Sequence, residues 1–176
     1  MAKISPLMIA PPAIFVGLAT LFFVGMQRDN PDELPSAMVG RTAPEVVVEQ
    51  ASFAEPFVDG DLRSGDITFV NFWASWCAPC RAEHPTLMQL ASEGYEVFGV
   101  NYKDTDAKAL GFVQELGNPF AKGGADRNGR MALNWGVYGV PETYVIDGDG
   151  TVLLRVAGPL TEREMEARVR PFLEQN

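Results

Sequence analysis

The chain has 176 residues, 47% of them hydrophobic, with 14 Lys and Arg against 23 Asp and Glu and a formal charge of −9. That length suits one globular domain with an extension, and the acidic balance argues against nucleic acid as a partner. The two cysteines, Cys77 and Cys80, are too few for a disulfide scaffold, and their CxxC spacing suits redox work either in the cytosol or in an oxidising compartment.

Residues 4–27 carry no charge, and 7–26 supply 20 predominantly apolar positions, the length of helix that crosses a hydrocarbon core of ~30 Å. Pro11 and Pro12 fall in the first turns, where missing N–H groups cost least. A cleavable signal peptide is the competing reading, because Lys3 supplies a basic start. The apolar run is long for one, and no A-x-A-like site follows it, so residues 1–26 are read as an uncleaved transmembrane anchor. Lys3 and the α-amine precede the span, whereas Asp29, Asp32 and Glu33 accompany Arg28 after it. This imbalance places the N-terminus in the cytoplasm and the rest of the chain outside. Residues 27–38, with Pro31 and Pro35 among polar neighbours, read as a linker, and 39–176 as the folded domain.

Within that domain Val46 to Val48 reads as a first strand, and the poorly patterned stretch 53–62 as a hairpin. Ile67, Thr68, Phe69, Val70 and Phe72 form a β-branched and aromatic run, the mark of a buried central strand. A helix follows from Pro79, with Ala82, Leu87, Leu90 and Ala91 near helical spacing, a kink expected at Pro85 and Gly94 as its cap. Residues 95–101 read as a second central strand. Residues 106–116 form a helix with the stripe Ala107, Leu110, Val113 and Leu116, ended by Gly117. A glycine-rich connection around Gly123 and Gly124 leads to a short helix at 130–135. Residues 143–146 and 152–156 flank Asp147-Gly148-Asp149-Gly150 and read as an antiparallel hairpin. The last helix opens on a capping box, Thr161 with Glu164, and runs to about Leu173. The order β-α-β-α-β-β-α implies an α/β fold, a central mixed β-sheet flanked by helices.

Cys77 and Cys80 stand where a strand hands over to a helix. Unpaired N–H groups and the positive dipole end of a helix N-terminus stabilise a thiolate, the nucleophilic form of cysteine. A zinc site needs four ligands, and only His84 joins the two cysteines without recruiting a carboxylate. Covalent haem attachment needs CxxCH, but Arg81 follows Cys80. A purely structural disulfide would close too short a loop to remove much chain entropy. A dithiol redox site is the reading that remains best supported, and it requires neither cofactor nor metal.

WCAPC after FVNFWAS resembles the active site of the thioredoxin superfamily. RAEHP after the second cysteine, NYKD at 101–104 and GVYGVPETYVIDGDG at 136–150 resemble the CcmG (DsbE) family more narrowly. These are membrane-anchored, periplasm-facing, thioredoxin-like reductants of cytochrome c maturation, and the resemblance covers roughly 39–173 together with an N-terminal anchor. It implies a thioredoxin-like fold and a redox disulfide between Cys77, the more exposed nucleophile, and Cys80, the resolving cysteine. It further implies a cis peptide bond at Pro141 facing the CxxC, which would expose the backbone of Val140 to the client. Trp76, beside the exposed thiol, is read as covering it and meeting the client, and Trp73 as packing.

Thioredoxins have a buried Asp where this chain has Asn71. Glu83 and Glu142 match acidic positions of the narrower family and are expected to tune the redox pair and handle protons. His84, with no partner in the sequence, is read as a helix-surface or structural residue. The implied partners are an apocytochrome c CxxCH disulfide or a maturation thiol protein, and a membrane thiol-electron transporter as reductant. The implied location is the inner membrane, single-pass, with the catalytic domain in the periplasm. A general disulfide oxidase, a reductase for another client, and a non-catalytic apocytochrome-binding module stay open as alternatives.

Overall fold

All six residues of β1 (Thr68–Trp73) are buried, as a strand covered on both faces must be. In the computed structural model, which describes residues 6–26 and 37–174, β1 is the middle of a five-stranded sheet of order β3-β2-β1-β4-β5. It runs parallel to β2 (Glu96–Tyr102), with Phe69 opposite Val97, and antiparallel to β4 (Glu142–Ile146), with Asn71 opposite Thr143. The expected hairpin is formed by β4 and β5 (Val152–Ala157), which pair antiparallel. Alternation along β1 divides the core: Phe69 and Trp73 join one apolar cluster, Val70 and Phe72 the other, as the two-residue period of a strand requires.

Helix α2 (Ala78–Ser92) follows β1 directly, α3 (Asp106–Leu116) follows β2, and the short α4 (Arg130–Asn134) lies where the sequence pattern puts it. The inward face of α2 is Cys80, Glu83, His84, Leu87 and Leu90, the i, i+3, i+4, i+7 pattern of a buried stripe. Ala82, expected on that face, is exposed. Two polar residues occupy core-facing positions, and this hides the true stripe from a hydrophobicity reading. At the C-terminus Thr161 accepts the Glu164 N–H at 3.3 Å, while the Glu164 carboxylate pairs with Arg168. The capping box is therefore half made. The segment continues from Glu162–Glu164 through a π-helical turn at Met165–Val169 to Arg170–Leu173.

Three expectations are corrected. Residues 46–48 form no strand: the Val46 N–H is taken by the Asp59 carboxylate at 2.8 Å, and nearby backbone pairing is limited to single bridges, Thr42 with Thr151 and Glu49 with Ala125. Residues 53–62 form no hairpin. Phe53, Phe57 and Leu62 each sink into the core, spaced too widely for one strand face, and a 3-10 turn spans Asp59–Arg63. The glycine-rich connection is a strand, β3 (Lys122–Asp126), parallel to β2. Glycine weakens a strand in isolation; here it admits a crossing chain. A Cβ on Gly123 would lie 2.6 Å from Phe53 Cε2 and 2.7 Å from the Gly99 carbonyl oxygen, and one on Gly124 would lie 2.6 Å from Val48 Cβ. Residues 48–55 cover this edge of the sheet, with Glu49 and Ala125 exchanging both backbone hydrogen bonds and Gly123 N–H donating to the Glu55 carbonyl.

The chain divides into two compact units, Met1–Pro35 and Ser36–Asn176. The first contains α1 (Pro6–Met26), 21 residues with Pro11 and Pro12 inside it. Among the described residues no helix is long and apolar enough to cross a membrane. The expected linker, 27–38, lies almost wholly outside the described residues.

Gly123→Ala should lower unfolding free energy by about 1 to 3 kcal/mol, the usual cost of overpacking, because backbone as well as Phe53 blocks the added carbon. Urea unfolding of the two proteins measures it, and equal midpoints would refute the crowding.

Candidate active site

The strand-to-helix turn makes the redox pair. Cys77 is the N-cap of α2 and Pro79 occupies its first turn, where proline's missing N–H is no loss. Cys77 and Cys80 form a disulfide with 5.3 Å between their Cα atoms. The Cys80 N–H points at Cys77 Sγ over 3.1 Å; when the pair is reduced this donor and the helix dipole favour a thiolate on Cys77. On the other side Cys77 Sγ is 3.5 Å from the Val140 carbonyl oxygen, an acceptor for the thiol proton once the disulfide opens. The Val140–Pro141 bond is cis. The loop before β4 thus presents its backbone to the sulfur, as expected. Cys77 is 5% exposed and Cys80 2%, so Cys77 is the more exposed residue of the two, but both are buried when oxidised.

Trp76 is 57% exposed, and with Ser75, Cys77, Ala78, Arg81 and Ala82 it lines a shallow cleft at the pair. Trp73 belongs to the core as expected, stacked on Phe120 with 5.2 Å between ring centroids. Arg81, one residue past the pair, also makes an exposed ion pair with Glu115 at 2.8 Å.

Neither acidic residue is a surface charge. Glu83 is fully buried; its Oε1 accepts from Asn71 Nδ2 at 2.9 Å and its Oε2 from the Leu160 N–H at 2.7 Å. Burial pushes its carboxyl up to about 7 against the pull of these two hydrogen bonds. Asn71 Nδ2 also reaches Thr143 Oγ1 at 3.0 Å. The strand position that lacks a carboxylate of its own is therefore in contact with one supplied by α2. Glu142, 1% exposed, forms a buried ion pair with Arg155 Nε at 2.5 Å. The Tyr144 hydroxyl lies 2.7 Å from Glu142 Oε1 and 2.8 Å from the Trp135 carbonyl oxygen, and its single proton serves one of them at a time. Burial raises the Tyr144 phenol far above its usual value, so it remains a donor. The Arg155 guanidinium also stacks 4.5 Å from the centroid of Tyr138.

His84 Nε2 meets the Gly117 carbonyl oxygen at 3.0 Å and its ring packs edge-on to Phe112. Burial lowers its pKa, so it is a neutral tie between α2 and the end of α3, the structural role expected. Arg155 and Tyr144 escaped the sequence reading. Arg155 did leave a signal: a lone cation in the otherwise apolar strand VLLRVA demands a buried counter-charge. Among the described residues no group of three or more His, Cys, Asp or Glu is placed to hold a metal ion.

This arrangement suits attack by one sulfur and resolution by a second, and comparison with known proteins agrees. The sequence model of the Redoxin family matches residues 38–169. The Thiol:disulfide interchange protein HelX of Rhodobacter capsulatus is 49% identical over 173 residues, 98% of this chain and 97% of that protein. The Thiol:disulfide interchange protein DsbE of Escherichia coli K12 is 39% identical over 173 residues, 96% of this chain and 94% of that protein. A crystal structure assigned to a Thiol:disulfide interchange protein DsbE of Chlorobium tepidum superimposes with a TM-score of 0.62 at 28% identity, over 81% of this chain and 98% of the other. The chain belongs to the Redoxin family and, within it, to the DsbE (CcmG) family of thiol:disulfide interchange proteins.

Proposed function

We propose that this thiol-disulfide oxidoreductase is the periplasmic disulfide reductant of cytochrome c maturation, acting on the CxxCH disulfide of an apocytochrome c or on the disulfide of a maturation partner. The observation that carries the chemistry is the Cys77–Cys80 pair at the start of α2, with the carbonyl of Val140 and the cis bond to Pro141 beside Cys77. In the reduced protein the Cys77 thiolate attacks one client sulfur, and the other leaves as a thiolate and takes up a proton. Cys80, deprotonated, then attacks Cys77 Sγ, releasing the client as a dithiol and leaving the Cys77–Cys80 disulfide. Two electrons pass to the client, and a membrane thiol-electron transporter restores the dithiol. Val140 offers backbone to an extended client segment, in the manner of strand addition, and Trp76 supplies an aromatic wall.

Glu83 lies three residues after Cys80 on the inward face of α2, and a carboxyl titrating near neutrality is suited to take the Cys80 proton. Glu142 follows Pro141 directly and through Arg155 fixes the loop the client meets, so its effect on partner choice is by position. Both carboxylates oppose a nearby thiolate when charged.

The membrane location rests on α1 and the flanking charges. In the sequence, residues 4–27 carry no charged side chain, a run of the length that a membrane-spanning helix needs. Lys3 lies before it and the acidic cluster after it, the asymmetry of a domain held outside the cytoplasm.

Cys80→Ser should accumulate mixed disulfides between Cys77 and its client, visible as dithiothreitol-sensitive adducts whose identification names the client. Absence of adducts in cells making c-type cytochromes would refute a catalytic Cys77. The full-length protein should stay with membranes through alkaline extraction, and its domain should be digested by protease added to spheroplasts; release into the soluble fraction would refute the anchor. Glu83 also has a stability signature. The folded carboxyl keeps its proton up to about pH 7 whereas the ordinary value is 4.5. Across that window the unfolded chain binds fewer protons, so Glu83 makes stability fall as pH rises, by ~3 kcal/mol at most. Glu83→Gln should lack this slope in urea titrations between about pH 5 and 8, and parallel slopes would show that Glu83 does not titrate there.

A further inference from the structure

Lys103 has a φ of 45°, the sole positive value among the described residues that are not glycine. L-residues adopt that conformation at a cost, and it persists where surrounding structure imposes it. Here the Lys103 N–H donates to the Asp126 carbonyl at 3.0 Å, and Lys103 Nζ lies 4.9 Å from the centroid of Tyr102. Gly129 leaves room for that side chain, since a Cβ there would come within 2.6 Å of Lys103 Cε. So held, the Lys103 carbonyl oxygen accepts the Trp76 indole N–H at 3.3 Å. The next residue completes the grip: Asp104 Oδ2 accepts from the Ser75 N–H at 2.7 Å and from Asn101 Nδ2 at 3.3 Å, while Oδ1 accepts the Thr105 N–H at 2.8 Å. Partial burial pushes the Asp104 carboxyl up, but these bonds outweigh it and hold it below its usual value.

Both residues gripped by this turn, Ser75 and Trp76, line the cleft at Cys77. An exposed indole whose N–H is already satisfied offers a rigid apolar face, and a side chain fixed before binding loses little entropy on contact. We propose that the 101–104 turn is a latch that presets Trp76 as one wall of the client cleft, with Asp104 as its positioning residue. The matching client is a peptide disulfide with an apolar side chain beside the cysteine that reacts with Cys77. The proposal rests on the client-reducing reading above, and it places Asp104 in client binding rather than in sulfur exchange.

The test is a double-mutant cycle in the full-length reduced protein, with an oxidised CxxCH peptide carrying a flanking aromatic residue as substrate. Asp104→Ala should raise KM about tenfold, on the scale of losing a charged hydrogen bond, with a much smaller change in kcat. In the Trp76→Ala background the same substitution should add nothing, because its effect passes through the indole; an equal fold-loss in both backgrounds would overturn the latch. Fluorine NMR of fluorotryptophan-labelled protein gives a second readout: of the signals from the three tryptophans, Asp104→Ala should move that of Trp76, identified by its loss in Trp76→Ala. A stationary Trp76 signal also overturns the proposal. If Asp104→Ala does not fold, Asp104→Asn, which keeps the shape and removes the charge, goes through the same cycle with the same direction expected. A wild-type protein that leaves the peptide oxidised would contradict the client reading, and the fluorine signal would still decide the latch.

Discussion

Glu83 joins three parts of the domain at one buried point. Its two carboxylate oxygens receive Asn71 from β1 and the Leu160 N–H from the chain entering the C-terminal helix, while its backbone belongs to α2. A buried carboxyl is costly, and removing one partner strands the others, so the three elements are fixed against one another at that point. Because Cys80 is one helical turn before Glu83, the same contact sets where the start of α2 falls relative to the end of β1. The position of the disulfide against the Val140 carbonyl follows from it.

The other half of the site is held by a different device. The loop carrying the cis Val140–Pro141 bond runs into β4, and its first strand residue, Glu142, is tied across the β4–β5 ladder to Arg155 and along its own strand to Tyr144. Buried ion pairs add little net stability, because desolvation offsets most of the attraction; breaking one leaves an uncompensated charge and is far more damaging. The pair therefore acts mainly as a constraint on geometry, limiting where the backbone of Val140 and Pro141 can go.

The parts of this architecture that follow local rules were legible in the sequence. β1, α3, α4, the β4–β5 hairpin and the CxxC at a helix start each announce themselves by period, cap or turn residue, and Pro141 and the two acids came through the family motifs. What could not be read were features decided by distant partners. β3 contains two adjacent glycines because Phe53 and Val48 approach where side chains would stand, information that lies some 70 residues away in the chain. Val46 offers strand chemistry, yet its N–H goes to the Asp59 side chain. Glu83 and His84 look like the solvent face of α2 by polarity, and only the fold reveals that they are its inward stripe.

The two buried acids consequently divide the work by their counter-charges. Glu142 has Arg155 against it, and neutralising the carboxyl would leave a guanidinium buried beside Tyr144, a state that geometry penalises. Its charge is thereby tied to the structure of the loop. Glu83 is bonded only by neutral donors, an amide side chain and a backbone N–H, so taking up or losing a proton there leaves no opposite charge stranded, and the cost of its charged form is burial alone. A carboxyl that burial pushes up to about 7, three residues after Cys80 on the same helix, fits the proton-handling role proposed for it.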